Sequence, residues 1–108
     1  MTESTYPAVI DRVIDAINAG NEDSNAEAFA PDAMIEDFGR SFSGPHGAQD
    51  WSSTDLIGAD MFIERRGITA NQDGSFSVAI YARSQRFNGD GGMHFIVVED
   101  RIVRLWVS

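Results

Sequence analysis

The sequence predicts an α+β fold: three N-terminal helices packed on one face of an antiparallel sheet. Three observations lead there. Apolar residues recur at helical spacing through about residue 57 and alternate in strand fashion from Met61 onward. A run of helices followed by a run of strands is the pattern of segregated α+β layers. The charge divides at the same place: residues 1–60 hold 12 acids and 2 bases, whereas residues 61–108 hold 5 acids and 6 bases. At 108 residues, with 43% hydrophobic residues, the chain is expected to form one domain over 1–108 around one core.

The first helix is expected over Thr5 to Ala19. Val9, Ile10, Val13, Ile14 and Ile17 make one apolar stripe, with Asp11, Arg12 and Asp15 off it. Ser4 or Thr5 can cap the start, Pro7 fits the first turn, and Gly20 is a natural left-handed stop. A shorter helix follows, with Asn21 as N-cap, Glu22 and Asp23 in its first turn, Ala26 and Phe29 inward, and Pro31 as its end. Ala33 to Asp37 is a short strand interrupted at Gly39, with Phe42 on a returning hairpin arm. Gly44-Pro45 opens a third helix over about Pro45 to Ile57, on which Ala48, Trp51 and Asp55 share a face.

The second half reads as a four-stranded antiparallel meander. Met61 to Ala70 is a strand, Asn71 to Gly74 a turn, and Phe76 to Arg83 a strand with Phe76, Val78, Ile80 and Ala82 on one side. Asn88 to Gly92 is read as a glycine-rich turn. It lacks a following helix and any Lys, so it is not a phosphate loop. Met93 to Val98 and Ile102 to Val107 form a last hairpin around Glu99-Asp100-Arg101.

Composition excludes several functions. The net charge is −9, which argues against nucleic acid and anionic membranes as partners. All 8 basic residues are Arg, so lysine chemistry is excluded; with no Cys, so are disulfides, thiolate catalysis and cysteine-based metal sites. His46 and His94 have no close carboxylate spacing, so no metal is expected. Met1 to Tyr6 is polar and no apolar run approaches the ~20 residues of a membrane span. A soluble, cytoplasmic protein is expected, and the Lys-free composition looks bacterial.

Several phrases carry a family resemblance: Ala16-Ile17-Asn18-Ala19-Gly20-Asn21, Phe29-Ala30-Pro31-Asp32-Ala33, Ile35-Glu36-Asp37-Phe38-Gly39, Ser43-Gly44-Pro45, and the late Glu99-Asp100-Arg101-Ile102 turn. Over nearly its whole length the chain resembles the nuclear transport factor 2-like superfamily, in its SnoaL-like and ketosteroid-isomerase-like branch. The resemblance implies a cystatin-like cone, a curved sheet wrapped around a long helix and open at one end. Its cavity would hold a small lipophilic molecule against Val13, Ile17, Phe29, Trp51, Met61, Val78, Ile80, Met93, Phe95 and Leu105, with Arg40 nearby.

Asp37 matches the position where ketosteroid isomerases carry their general base, a pattern borrowed from that enzyme. A carboxylate at the rim of an apolar cavity loses water, which favours proton exchange near neutral pH. The alternative role is a turn cap before Gly39. The family's oxyanion-hole Tyr and protonated Asp fall on Val13 and Met93, neither of which can donate a hydrogen bond, so ketosteroid isomerisation itself is not expected. Asp55, on the Trp51 face, can pair with Asp37 or Arg40, or be a solvated helix residue. His46, in the first turn of the third helix, can act as acid or base at the cavity mouth. Arg40 and Arg83 are anion anchors or solvated charges.

These residues imply an isomerase, cyclase or dehydratase working without a cofactor on a neutral lipophilic substrate. The alternative is a non-catalytic ligand-binding protein, and a protein-interaction module is a third reading. Strand phase puts Tyr81, Ile96, Val98 and Trp106 on the convex face beside Arg83 and Arg104. That aromatic and Arg composition suits a homodimer interface.

Overall fold

The computed structural model describes residues 6–44, 46–85 and 87–108. The expected caps Ser4 and Thr5 and the helix-opening Pro45 lie outside them. Helix α1 spans Ala8–Ala19, and its stripe of Val9, Ile10, Val13, Ile14 and Ile17 is buried. Gly20 ends it at φ 70, with the Gly20 and Asn21 N–H groups bonded back to Ile17 and Ala16 at 3.1 and 2.9 Å.

Helix α2 spans only Glu22–Glu27, capped by the Asn21 side chain, which accepts from the Ser24 N–H at 3.1 Å. Pro31 does not end it. The chain is already extended at Phe29, and Pro31 lies inside strand β1, Phe29–Asp37. Its pairing there is irregular between Phe29 and Met34, so a missing N–H is tolerated. The Phe38-Gly39 pair then turns the chain into β2, Arg40–Ser43. Helix α3, Gly47–Asp55, is shorter than expected and passes into a 3-10 turn at Ile57–Ala59. Glu22 ties α2 to α3 by accepting from Ser52 Oγ at 2.5 Å and Ser53 Oγ at 3.1 Å.

Strands β3 (Phe62–Ala70), β4 (Phe76–Arg83), β5 (Asn88–Val98) and β6 (Arg101–Val107) follow. The expected turn at Asn88 to Gly92 is strand: Gly91 and Gly92 pair with Ile80 and Ala79. The turn falls earlier, where the Ser84 N–H bonds the Phe87 carbonyl at 3.0 Å. Glycine serves close approach here, since a Cβ on Gly92 would come within 2.9 Å of Ser108 Oγ.

Among the described residues the sheet has six strands, in the order β2-β1-β6-β5-β4-β3. It is mixed, not antiparallel throughout, because β1 runs parallel to β6. That pairing sets Asp37 beside Val107 at one end of the sheet. Helix α1 covers part of the inner face, where Ile35, Val78, Phe95, Ile102 and Leu105 close the core. It is fastened to the sheet by Asn18, which accepts from the Ile63 N–H at 2.7 Å and donates to the Ile63 carbonyl at 2.9 Å, and by Arg65, which pairs with Asp11 and Asp15.

On the outer face, Arg104 donates to Glu36 at 2.8 Å and lies over Trp106, whose ring stacks on His94 at 5.3 Å. His94 in turn shares a 2.8 Å hydrogen bond with Ser77. Arg66 covers the Tyr81 ring, and Val98 is exposed. His94 therefore faces away from Met93 and Phe95, as strand phase predicts.

Candidate functional site

A pocket of about 170 Å³ opens where α1 no longer covers the sheet. Its sheet wall is Ile63, Ile80, Gly91, Met93 and Val107. Trp51, Asp55 and Leu56 come from α3 and its end, and Met61 from the approach to β3. Asp37, Phe38, Ser84, Phe87 and Ser108 complete the lining.

Two carboxylates interrupt this apolar surface. Asp37 ends β1, and its Oδ2 accepts from the Nε1–H of the buried Trp51 at 3.0 Å. One oxygen of the carboxylate is thus fixed by a neutral donor, which orients the group without neutralising it. Asp55 takes the other course. Its Oδ2 accepts from Arg40 at 2.5 Å, with Asp55 only 11% exposed and Arg40 50% exposed. The Asp55 Oδ1 atom is buried and accepts no hydrogen bond. Among the described residues, Asp37 is therefore the one of the two carboxylates without an arginine counter-charge.

Six of the residues singled out from sequence line this pocket: Asp37, Asp55, Trp51, Met61, Ile80 and Met93. Six others do not. Val13 and Ile17, on α1 itself, and Phe29, Val78, Phe95 and Leu105 are packed in the hydrophobic core. Arg40 is not in the lining; its guanidinium is held by Asp55 and lies over the Phe42 ring at 5.1 Å. His46 is exposed at the start of α3 and outside the lining, so the structure does not bring it to the carboxylates.

Sequence reasoning missed Phe38, Leu56, Ile63, Ser84, Phe87, Gly91, Val107 and Ser108. Periodicity cannot find residues in turns or at strand ends. One signal was available: Phe38 and Phe87 are large aromatics placed in turn segments, where no core position calls for them. Among the described residues, no group of three or more His, Cys, Asp or Glu could hold a metal ion, and no helix is long and apolar enough to cross a membrane.

No protein-family model and no curated protein sequence matches the chain. Solved structures do match. A Sinorhizobium meliloti protein, SMa1630, assigned as a polyketide cyclase, superposes with a TM-score of 0.85 at 25% identity, over 95% of both chains. SalBIII, an epoxide hydrolase/cyclase-like enzyme of pyran ring formation in the polyether salinomycin, gives 0.81 at 22% identity, over 92% of this chain and 85% of that one. A nuclear transport factor 2-like protein of unknown function from Cytophaga hutchinsonii gives 0.78 at 9% identity, over 100% and 93%. The fold is that of the nuclear transport factor 2-like superfamily, as the sequence phrases imply.

Proposed function

We propose that the protein binds a small, neutral, lipophilic molecule in this pocket and carries out cofactor-free acid/base chemistry on it with Asp37. The reaction class is isomerisation, cyclisation or dehydration, through proton transfer next to a carbonyl. The observation that carries this reading is the Asp37 carboxylate in an apolar pocket, with one oxygen held at 3.0 Å by Trp51 Nε1. That hydrogen bond aims the group, and the remaining oxygen is left to exchange a proton. The likeness to SMa1630 and SalBIII agrees with small-molecule chemistry on this fold. A non-catalytic ligand-binding role is the second reading, favoured by Met93, an apolar residue where a carbonyl oxygen would need a donor.

The test is solvent deuterium exchange into cyclohexanone, followed by proton NMR. The wild-type protein accelerates exchange, and Asp37→Asn loses about 10²–10⁴-fold of that acceleration. Equal exchange by Asp37→Asn removes Asp37 as the base, whereas binding without exchange leaves the ligand-binding reading.

We also propose that the outer face pairs with a second copy through Tyr81, Ile96, Val98 and Trp106. The support is the arginine-covered rings of Tyr81 and Trp106 and the exposed Val98 (53%) on the same sheet. Light scattering after size exclusion is expected to read twice the 11.8 kDa chain mass at micromolar concentration; a monomer mass excludes the pairing.

A further inference from the structure

The pocket is small for the ligands this fold suggests. At about 170 Å³ it is close to an engineered cavity of about 150 Å³ that binds a single benzene. A ligand of more than one ring cannot be enclosed, and whatever extends past the pocket meets its opening. Two pocket-lining residues there are large, apolar and exposed: Phe38 at 72% and Phe87 at 49%.

Both residues sit in defined turns. Phe38 and Gly39 form a two-residue hairpin turn with φ of 47° and 87°. Such a turn favours Asn-Gly, and a bulky side chain at positive φ is a conformational outlier. The residue at 38 is thus poorly chosen for its turn and well chosen to present an aromatic ring beside Asp37. Phe87 is fixed differently. Its N–H donates to Ser84 Oγ at 2.9 Å, and its carbonyl accepts from Ser84 Oγ at 3.1 Å. Its ring lies on Gly89, where a Cβ would come within 3.2 Å of Phe87 Cζ. A Phe87 ring preset at the mouth lowers the ordering cost of binding.

We propose that Phe38 and Phe87 form an aromatic lip that selects elongated ligands: one ring sits in the pocket, and an apolar tail or second ring lies across the lip. This rests on the small-molecule reading of the pocket. It makes the two phenylalanines specificity-determining residues and defines the ligand as a neutral, ring-bearing molecule longer than the pocket.

The test is calorimetric titration with 4-alkylphenols from 4-ethylphenol to 4-hexylphenol. For the wild-type protein, each methylene beyond ethyl is expected to tighten binding about twofold to fourfold, the upper value being a fully buried methylene. Phe38→Asn and Phe87→Ser are each expected to lose the dependence on tail length, whatever their affinity for 4-ethylphenol itself. Phe38→Asn is also expected to keep or raise the thermal midpoint, since Asn suits the turn; a merely structural Phe38 would lower it. A flat tail-length series in the wild type, or an undiminished series in both variants, overturns the lip while leaving the pocket. Absence of any 4-ethylphenol binding to the wild type overturns the pocket reading, and the lip with it.

Discussion

Val78 and Ile80 sit two residues apart on β4, on the same face, and meet different surroundings. Both belong to the hydrophobic core, but Ile80 also lines the pocket that holds Asp37, and Val78 does not. The same contrast repeats on β5, where Phe95 is sealed and Met93 lines the cavity. The inner face is therefore one apolar surface with two fates, decided by how far α1 extends over it. The pocket belongs to the part of the sheet that a 12-residue helix leaves uncovered.

Enlarging each residue breaks this comparison most sharply. Val78→Phe overfills a closed site and is expected to cost about 1–3 kcal/mol, read by denaturant unfolding. Ile80→Phe grows into empty space and is expected to cost less than about 1 kcal/mol while abolishing 4-ethylphenol binding. Equal destabilisation by both would mean that the two halves are packed alike.

A smaller effect concerns the far side of β4, in the turn that joins it to β3. Asp73 accepts from the Ser75 N–H at 3.0 Å and from Ser75 Oγ at 2.6 Å, and these bonds hold its carboxyl below its ordinary range. A depressed folded pKa contributes stability that is present above the unfolded pKa and lost as pH falls through the folded one. Ser75→Ala is therefore expected to lower the thermal midpoint slightly at pH 7, with the gap to wild type narrowing below about pH 4. Ligand binding should not change, because neither residue lines the pocket.

Local signals were legible wherever side chains repeat. The α1 stripe and its Gly20 stop, and the inward set Val78, Ile80 and Ala82, follow from spacing alone. The start of β5 was illegible because Gly89, Gly91 and Gly92 have no side chains with which to alternate. The parallel pairing of β1 with β6 joins Asp37 to Val107, a long-range choice that no window along the chain contains. For the site, Asp37, Asp55 and Trp51 were found through the family phrases and a shared helix face. The split between lining and core was not, because both sets are apolar and inward; only the reach of α1 separates them. Phe38 and Phe87 escaped because turn residues follow no period.

The clamp of Asn18 on Ile63 has a consequence for solubility. Strand β3 is an end strand of the sheet, and an end strand offers free N–H and C=O groups to any passing chain. Asn18 occupies one such pair at Ile63, standing in for the neighbouring strand. Just beyond it, Glu64, Arg65 and Arg66 place charge along the same border. Together they keep the rim from templating edge-to-edge stacking, so damage to Asn18 would appear first as concentration-dependent aggregation of a still-folded protein.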